Sequence, residues 1–245
     1  MYNYKLTIQY DGGRYKGWQK LGADENTIQG KLMEVLTEFS GERTEVIGCS
    51  RTDAGVHALG QVANVKLNKQ VSPGELKEYL NRYLPQDIRI PEVTPVSVDF
   101  HARYLAKRKT YLYQIWNREH PNPFRRRYSM HVPVPLDMGA MRAAAPYFIG
   151  VHDFTAFSNA KARNRSMIKT IYSIEISSEE GMLLIRICGD GFLYNMVRKM
   201  IGVLIEIGLG RLPTTEVAEL LKEGDRSRLT VLAEACGLFL ERIEY

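Results

Sequence analysis

Apolar and polar residues alternate along 4–10, YKLTIQY, with the period of two that is typical of a half-buried strand. Further strand-like segments predict strands near 45–48, over 61–67, 111–116, 167–176 and 182–188, and over the closing stretch 237–245. A turn at 179–181 joins the two strands around it. In the first half, 86–103 is predicted as loop and edge strand, because Pro91 and Pro95 cannot donate to a sheet ladder.

A period near 3.6 residues predicts the helices. The first helix is capped by Thr27 and stops at Gly41. Its apolar stripe consists of Ile28, Leu32, Val35, Leu36 and Phe39. Ser72 and Pro73 open a second helix, which ends before Pro85. Further helices are predicted over about 137–148, over about 194–207 and after a cap at Thr214 or Thr215.

The predicted strands and helices follow one another without the regular alternation of a parallel β-α-β fold. This order predicts an α+β fold with a largely antiparallel sheet. A chain of 245 residues, of which 44% are hydrophobic, can bury the core of one large domain or of two small ones. We place a boundary near 103–107 and predict two α+β subdomains, 1–105 and 106–245.

Composition excludes several classes of protein. No apolar run of about 18 residues occurs, so no membrane span is predicted, and the first residues lack the apolar core of a signal peptide. The 3 cysteines are far apart and form no CxxC pair, and the 5 histidines show no HxH or HExxH spacing. We therefore predict a cytoplasmic protein without a disulfide or a metal site.

The net charge of +5 is unevenly distributed along the chain. Between His101 and His131, Glu119 is the one acidic residue among many basic ones, which are Arg103, Lys107, Arg108, Lys109, Arg118, Arg125, Arg126 and Arg127. Aromatic residues are interleaved with them, and a second basic run follows at Lys161, Arg163, Arg165 and Lys169. Each charge alone fits a solvated surface, but the clustering favours a nucleic-acid partner, because basic groups neutralise phosphates and aromatic rings stack on bases.

The stretch GCSRTDAGVHALGQ, residues 48–61, carries the candidate chemistry. Taken alone, its RTDAG core is typical of a turn, since Asp bonds to the nearby backbone and Gly reaches positive φ. Its flanks are small or apolar, which would let a bulky substrate approach Asp53 closely. Arg51 lies near enough in sequence to hold an anion beside that carboxylate.

Six blocks of the sequence resemble one enzyme family. They are YDGGRYKGWQ at 10–19, SRTDAGVHALGQ at 50–61, KTYLY at 109–113, HDFTAF at 152–157, GFLYNMVRKMIG at 191–202 and GLFL at 237–240. In this order they are similar to the signature of the tRNA pseudouridine synthases of the anticodon stem-loop type (the TruA family). Ser50 departs from the family's usual Gly, and Glu234 stands where the family usually has Pro.

The resemblance implies a pseudouridine synthase fold, in which two sheet-and-helix subdomains flank a basic cleft. It implies an isomerase that works without cofactor or metal on a flipped-out uridine at positions 38–40 of the tRNA anticodon stem-loop. Asp53 would start cleavage of the glycosidic bond, as nucleophile or as base. A homodimer that contacts one tRNA is also implied.

The same resemblance suggests roles for residues that have simpler explanations. Tyr111 would pack on the target base, although an aromatic residue between strands is common. Leu238 would lie beneath the base, although most such leucines belong to a core. Arg198 would hold Asp53 ionised, since an arginine on a helix that is apolar nearly all round needs a partner. Arg51 would contact RNA.

Some choices stay open at the level of sequence. Tyr10, Tyr15 and Trp18 could stack on RNA or cover a hairpin, whereas His57 and His152 are interpreted as structural. A non-catalytic RNA-binding protein or RNA chaperone would also explain the basic and aromatic residues. A hydrolase or phosphotransferase with an aspartate nucleophile would explain Asp53, but it usually needs magnesium and an acidic cluster to hold it.

Overall fold

The structure, a computed structural model, describes residues 1–22, 26–159 and 166–245. It contains two compact units, Met1–Lys107 together with Phe239–Tyr245, and Arg108–Leu238. The subdomain bounds 1–105 and 106–245 stay a prediction, and the closing stretch packs with the first unit. The basic residues Lys161, Arg163 and Arg165 lie outside the described residues.

The first unit is built on a largely antiparallel sheet. Its strands are β1 (Tyr2–Tyr10), β2 (Val46–Gly48), β3 (His57–Leu67), β4 (Ile88–Val96) and β10 (Leu238–Glu244), which belongs to this unit from Phe239 onward. β1 lies between β3 and β4 and is antiparallel to both. β2 pairs with the 63–65 part of β3, and β10 runs parallel to its start, with Phe239 opposite His57.

Two helices of the first unit follow the predicted pattern. They are α1 (Ile28–Ser40) and α2 (Pro73–Tyr83). Thr27 caps α1, because its Oγ1 accepts a hydrogen bond of 3.1 Å from the Gly30 N–H. Gly41 ends α1 with φ of 74°, in the left-handed region that glycine reaches without strain. The predicted cap and stop of α1 are confirmed.

The edge strand β4 shows how prolines are accommodated in this sheet. It is one continuous strand, pairs only with β1 among the described strands, and places Pro95 opposite Tyr4. An edge strand tolerates proline, because the missing N–H can face away from its one neighbour. The prediction of an edge strand within 86–103 is confirmed.

The second unit also contains largely antiparallel strands. Its strands are β5 (Arg108–Trp116), β6 (Met130–His131), β7 (Gly150–Asp153), β8 (Ile168–Glu179) and β9 (Met182–Gly189). β9 lies between β5 and β8 and is antiparallel to both, β7 continues the antiparallel order next to β8, and β6 pairs with β5 in parallel. The short strand β7 was not predicted, since its four residues are too few to show a period.

The helices of the second unit are α3 (Met138–Ala144), α4 (Met196–Gly208) and α5 (Glu216–Glu223). The prediction of one helix over 137–148 is wrong in its second half, where Ala145–Phe148 forms a 3₁₀ turn. Pro146 lacks the N–H that would continue the α-helical ladder. The α+β class with largely antiparallel sheets is confirmed.

Candidate active site

Asp53 lies on the loop that connects β2 to β3 in the first unit, residues 49–56. The loop closes as a turn in which the Val56 N–H donates to the Asp53 carbonyl oxygen at 3.2 Å. Gly55 has φ of 79°, which explains a glycine at this position. Asp53 is half-buried, Arg51 is exposed and Thr52 between them is buried. The segment therefore forms a turn, in which Arg51 and Asp53 lie on either side of the buried Thr52.

Glycines of the 10–19 block contact this loop so closely that no side chain would fit. A Cβ on Gly12 would lie 1.9 Å from the Val56 carbonyl oxygen. Gly17 has φ of +94°, and a Cβ there would lie 2.6 Å from the Thr52 carbonyl oxygen. That oxygen also accepts a hydrogen bond of 3.0 Å from the Trp18 N–H. The first block is therefore a backbone support for the loop that carries Asp53.

Buried polar side chains hold the loop from within the first unit. The Gln61 side chain accepts from the Ser50 N–H at 3.2 Å and donates to the Ser50 carbonyl oxygen at 2.7 Å, so that it pairs with the Ser50 backbone. The hydroxyls of Tyr10 and Thr52 are 2.8 Å apart and share a hydrogen bond. All four residues are at most 7% exposed. Ser50, which stands in place of the family's glycine, takes part through its backbone, and among the described residues its buried hydroxyl has no hydrogen-bond partner.

The aromatic residues of the first block are core residues in this structure. Tyr10, Tyr15 and Trp18 are each at most 5% exposed, and the Trp18 ring lies directly on Gly48. Burial, and then the neighbouring Asp87, raise the pKa of Tyr15 to about 12, and its hydroxyl donates to Asp87 at 2.6 Å. Their burial favours the interpretation that these rings cover a hairpin over the interpretation that they stack on RNA.

Both histidines in the family blocks have structural surroundings. His57 is 1% exposed, accepts from the Gly12 N–H through Nδ1 at 3.1 Å and stacks on Phe239 with ring centroids 4.7 Å apart. The Nε2 of His152 is 2.9 Å from the Ile149 carbonyl oxygen. These contacts agree with the structural interpretation of both residues.

Tyr111 lies on β5 in the second unit, opposite Ile187 of β9. It is 7% exposed, and its ring meets Phe192 edge to face with centroids 5.1 Å apart. Phe192 belongs to the GFLYNMVRKMIG block, so two family blocks meet at this ring pair. The edge-to-face contact fixes the Tyr111 ring plane.

Arg198 extends from α4, and its surroundings differ from those of its apolar neighbours. It is half-buried, while Val197 and Lys199 on either side are buried. Its Nε donates to the Ala233 carbonyl oxygen at 2.7 Å, and the Ala233 N–H donates to the Arg198 carbonyl oxygen at 3.2 Å. These two bonds join Arg198 to the backbone of Ala233 and constrain the arginine side chain as far as Nε. The two terminal guanidinium nitrogens can donate to other acceptors.

Leu238 follows the segment that Arg198 holds. It is 5% exposed and begins β10 after the 3₁₀ turn Ala235–Gly237. Glu234 before this turn has φ of −61°, a value that proline also adopts, so glutamate in place of proline requires no different backbone. The Glu234 carbonyl oxygen accepts from the Tyr113 hydroxyl at 2.8 Å. Tyr113 is fully buried.

The burial of Lys199 is a feature that the sequence did not predict. The residue is 5% exposed, and its Nζ donates to the Ala156 carbonyl oxygen at 3.5 Å. Burial, and then the charge of Arg226, lower its pKa. The one sequence signal for the burial of Lys199 is that the predicted helix has almost no polar face. On such a helix, the adjacent Arg198 and Lys199 cannot both be exposed to solvent.

The predicted site residues are thus distributed over both units. Arg51 and Asp53 lie on one loop of the first unit, and Tyr111, Arg198 and Leu238 belong to the second. In the basic stretch between His101 and His131, the exposed basic residues are those at 107–108, 118 and 125–127. Within the described residues, no group of His, Cys, Asp and Glu has the arrangement of a metal site, and no helix could cross a membrane.

Comparisons with known proteins identify the family. A family model described as tRNA pseudouridine synthase matches residues 6–105 and 144–245. The chain is 58% identical to "tRNA pseudouridine synthase A" of Bacillus sp. (strain KSM-64) and 55% identical to "tRNA pseudouridine synthase A 2" of Bacillus cereus (strain ATCC 10987 / NRS 248). It is 43% identical to "tRNA pseudouridine synthase A" of Acetivibrio thermocellus, and each alignment covers 100% of both chains. The chain belongs to the tRNA pseudouridine synthase family.

Membership confirms the resemblance drawn from the six blocks, and with it the pseudouridine synthase fold. The chain is an isomerase that acts on uridine in tRNA. This assignment sets aside the RNA chaperone and the aspartate phosphotransferase that the sequence had left open. The site residues, the region of tRNA and the oligomeric state stay predictions.

Proposed function

We propose that the enzyme isomerises uridines 38–40 of the tRNA anticodon stem-loop, with Asp53 as the catalytic group. The observation that carries this proposal is that contacts on two sides hold the Asp53 loop in place. Backbone contacts from Gly12, Gly17 and Trp18 hold it on one side, and Gln61 holds it from the strand that follows. A group that must attack a fixed atom benefits from such preorganisation, because misplacement by about 1 Å can cost about 100-fold in rate.

The chemistry requires a carboxylate that leaves the reaction unchanged. The bond between the sugar C1′ and uracil N1 breaks, the uracil turns, and a bond forms between C1′ and C5. The proton on C5 then leaves to solvent and N1 takes up a proton, so that the product is an isomer of the substrate. Asp53 starts this sequence, either by attack on the sugar or by removal of a proton from it, and is regenerated at the end. No cofactor or metal takes part in the proposed reaction.

The other site residues serve the flipped nucleotide. Tyr111 packs on the target base, Leu238 supports it from below, and Arg51 contacts the RNA around it. Arg198 favours the ionised form of Asp53. We further propose that the enzyme works as a homodimer in the cytoplasm and that one tRNA contacts both subunits.

The test is release of tritium from tRNA labelled at uridine C5, in the presence of EDTA. We expect wild-type protein to release the label and Asp53→Asn to release less than about 1% as much, with tRNA affinity within a few-fold, because phosphate contacts dominate affinity. Asp190→Asn is the matched control, since the Asp190 carboxylate accepts from the Thr170 N–H at 3.0 Å and an amide can still accept there. Mapping the product on tRNA tests positions 38–40, and sedimentation tests the dimer. Turnover by Asp53→Asn, or products elsewhere in the tRNA, would contradict the proposal.

A further inference from the structure

One hydrogen bond in the first unit joins the end of β1 to the residue directly before Asp53. Tyr10 is the last residue of β1, and an irregularity in the pairing with β3 falls immediately before it, between Ile8 and Tyr10. Such irregularities change the direction of a side chain relative to a regular ladder. At this point the Tyr10 hydroxyl is 2.8 Å from Thr52 Oγ1, in a buried environment.

Thr52 is thereby held through both its side chain and its backbone. Its hydroxyl bonds to Tyr10, and its carbonyl oxygen accepts from the Trp18 N–H at 3.0 Å. Threonine is branched at Cβ, so few χ1 angles are open to it and the hydroxyl bond also constrains the backbone. Rotation of the peptide that leads into Asp53 therefore requires one of these two bonds to break.

We propose that Tyr10 is a positioning residue for Asp53, acting through the Thr52 hydroxyl; this inference rests on the proposed catalytic role of Asp53. Packing alone does not account for a tyrosine at position 10, because phenylalanine would fill the same apolar volume. A buried hydroxyl is costly unless it is bonded, and here the bond goes to the catalytic loop.

The hydroxyl also stays in one protonation state. Burial raises the pKa of Tyr10 well above its ordinary value, against the opposing effect of the hydrogen bonds to Thr52 and Gln61. Tyr10 is therefore neutral across the pH range in which the enzyme would be assayed. It holds the loop through a hydrogen bond and contributes no charge to the chemistry.

The test uses Tyr10→Phe and Thr52→Val, which remove the two ends of the bond while keeping the shape of each side chain. We expect each to lower the single-turnover rate of tritium release by about 10- to 100-fold, with the Kd for tRNA within about two-fold of wild type. Both variants remove the bond between Tyr10 and Thr52, and Tyr10→Phe also removes the contact with Gln61, so the double variant should be no slower than Tyr10→Phe alone. Thr52→Ser keeps the hydroxyl but loses the branch at Cβ, so it should react faster than Thr52→Val and no faster than wild type.

Tyr4→Phe provides the matched control. Tyr4 lies on the same strand, is 2% exposed, and its hydroxyl donates to the Val71 carbonyl oxygen at 3.0 Å and accepts from the Val71 N–H at 2.9 Å. It loses a buried hydroxyl without touching the Asp53 loop, so we expect its single-turnover rate to match wild type. Unfolding curves for both tyrosine variants show whether any difference in rate is one of stability.

Three outcomes would overturn the inference: Tyr10→Phe reacts as fast as Tyr4→Phe, the effects of Tyr10→Phe and Thr52→Val multiply, or the loss appears in Kd. Asp53→Asn, measured alongside, separates this failure from that of the proposed function. If Asp53→Asn is inactive and Tyr10→Phe is fast, only the positioning role fails. If Asp53→Asn turns over, the catalytic role of Asp53 fails and the inference with it.

Discussion

The contact between Gly17 and the Asp53 loop makes a quantitative prediction. Alanine at position 17 would have to adopt φ of +94°, which costs an L-residue about 1–2 kcal/mol. Its Cβ would also lie 2.6 Å from the Thr52 carbonyl oxygen and 3.0 Å from the Asp53 carbonyl carbon. Relief of such overpacking typically costs about 1–3 kcal/mol more. We therefore expect Gly17→Ala to lower the free energy of unfolding by about 2–5 kcal/mol in total.

Gly41→Ala separates the two contributions to this loss. Gly41 also has positive φ, +74°, but nothing lies within 4 Å of a Cβ placed there. Urea unfolding of both variants should show Gly41→Ala losing only the conformational part, about 1–2 kcal/mol. Any additional loss in the free energy of unfolding for Gly17→Ala measures the cost of the contact between the new Cβ and the Asp53 loop.

The same substitution should slow the reaction in the folded protein. To reach an ordinary contact of about 3.4 Å, the Thr52 carbonyl oxygen and the new Cβ must separate by roughly 0.8 Å. A shift of this size in the loop should lower the single-turnover rate of tritium release by up to about 100-fold, under conditions where the variant is folded. The reasoning is refuted if Gly17→Ala is no less stable than Gly41→Ala, or if its rate falls only with the folded fraction.

The remaining predictions concern charge. If the exposed basic residues at 107–108 and 125–127 meet phosphates, tRNA affinity should fall steeply with salt, and the slope should flatten by roughly one unit per neutralised contact. Arg198→Met should slow the single turnover far more than it weakens tRNA binding, and a double-mutant cycle with Asp53→Asn should be non-additive; simple additivity would make Arg198 an RNA contact. Because the pKa of Tyr15 is raised to about 12, its burial stabilises the fold below pH about 10 and loses this effect as pH rises toward 12. Urea unfolding should therefore show a steeper loss of stability over this range in wild type than in Tyr15→Phe.

Local signals predicted much of the fold. Thr27 and Gly41 bound α1 as expected, because a cap and a left-handed stop act within a few residues of themselves. Pro146 was overlooked within a helical pattern, and it turns the second half of that helix into a 3₁₀ turn. The α4 helix starts at Met196 rather than near 194, since Asn195 takes a left-handed conformation that no periodicity reveals.

The support of the candidate site could not be predicted in the same way. Asp53 stood out because small residues surround it in sequence. Gly12 and Gly17 depend on contacts with residues dozens of positions later, and Gln61 depends on a bond to Ser50 across 11 positions; one sequence without relatives contains none of these contacts. The burial of Lys199 was missed for a related reason, since its acceptor at Ala156 lies 43 positions earlier.

The pairing of β10 with β3 has a consequence for how the protein is made. The start of β3, at His57 and Ala58, follows directly on the Asp53 loop, and its parallel partners are Phe239 and Leu240, about 180 positions later. Contacts of such long range form slowly, because a large loop must close before they stabilise anything. On a ribosome, the strand edge beside the Asp53 loop therefore has no partner until the whole second unit has been translated. Until then it is an open template for pairing with other chains, and the enzyme should depend most on chaperones during this interval.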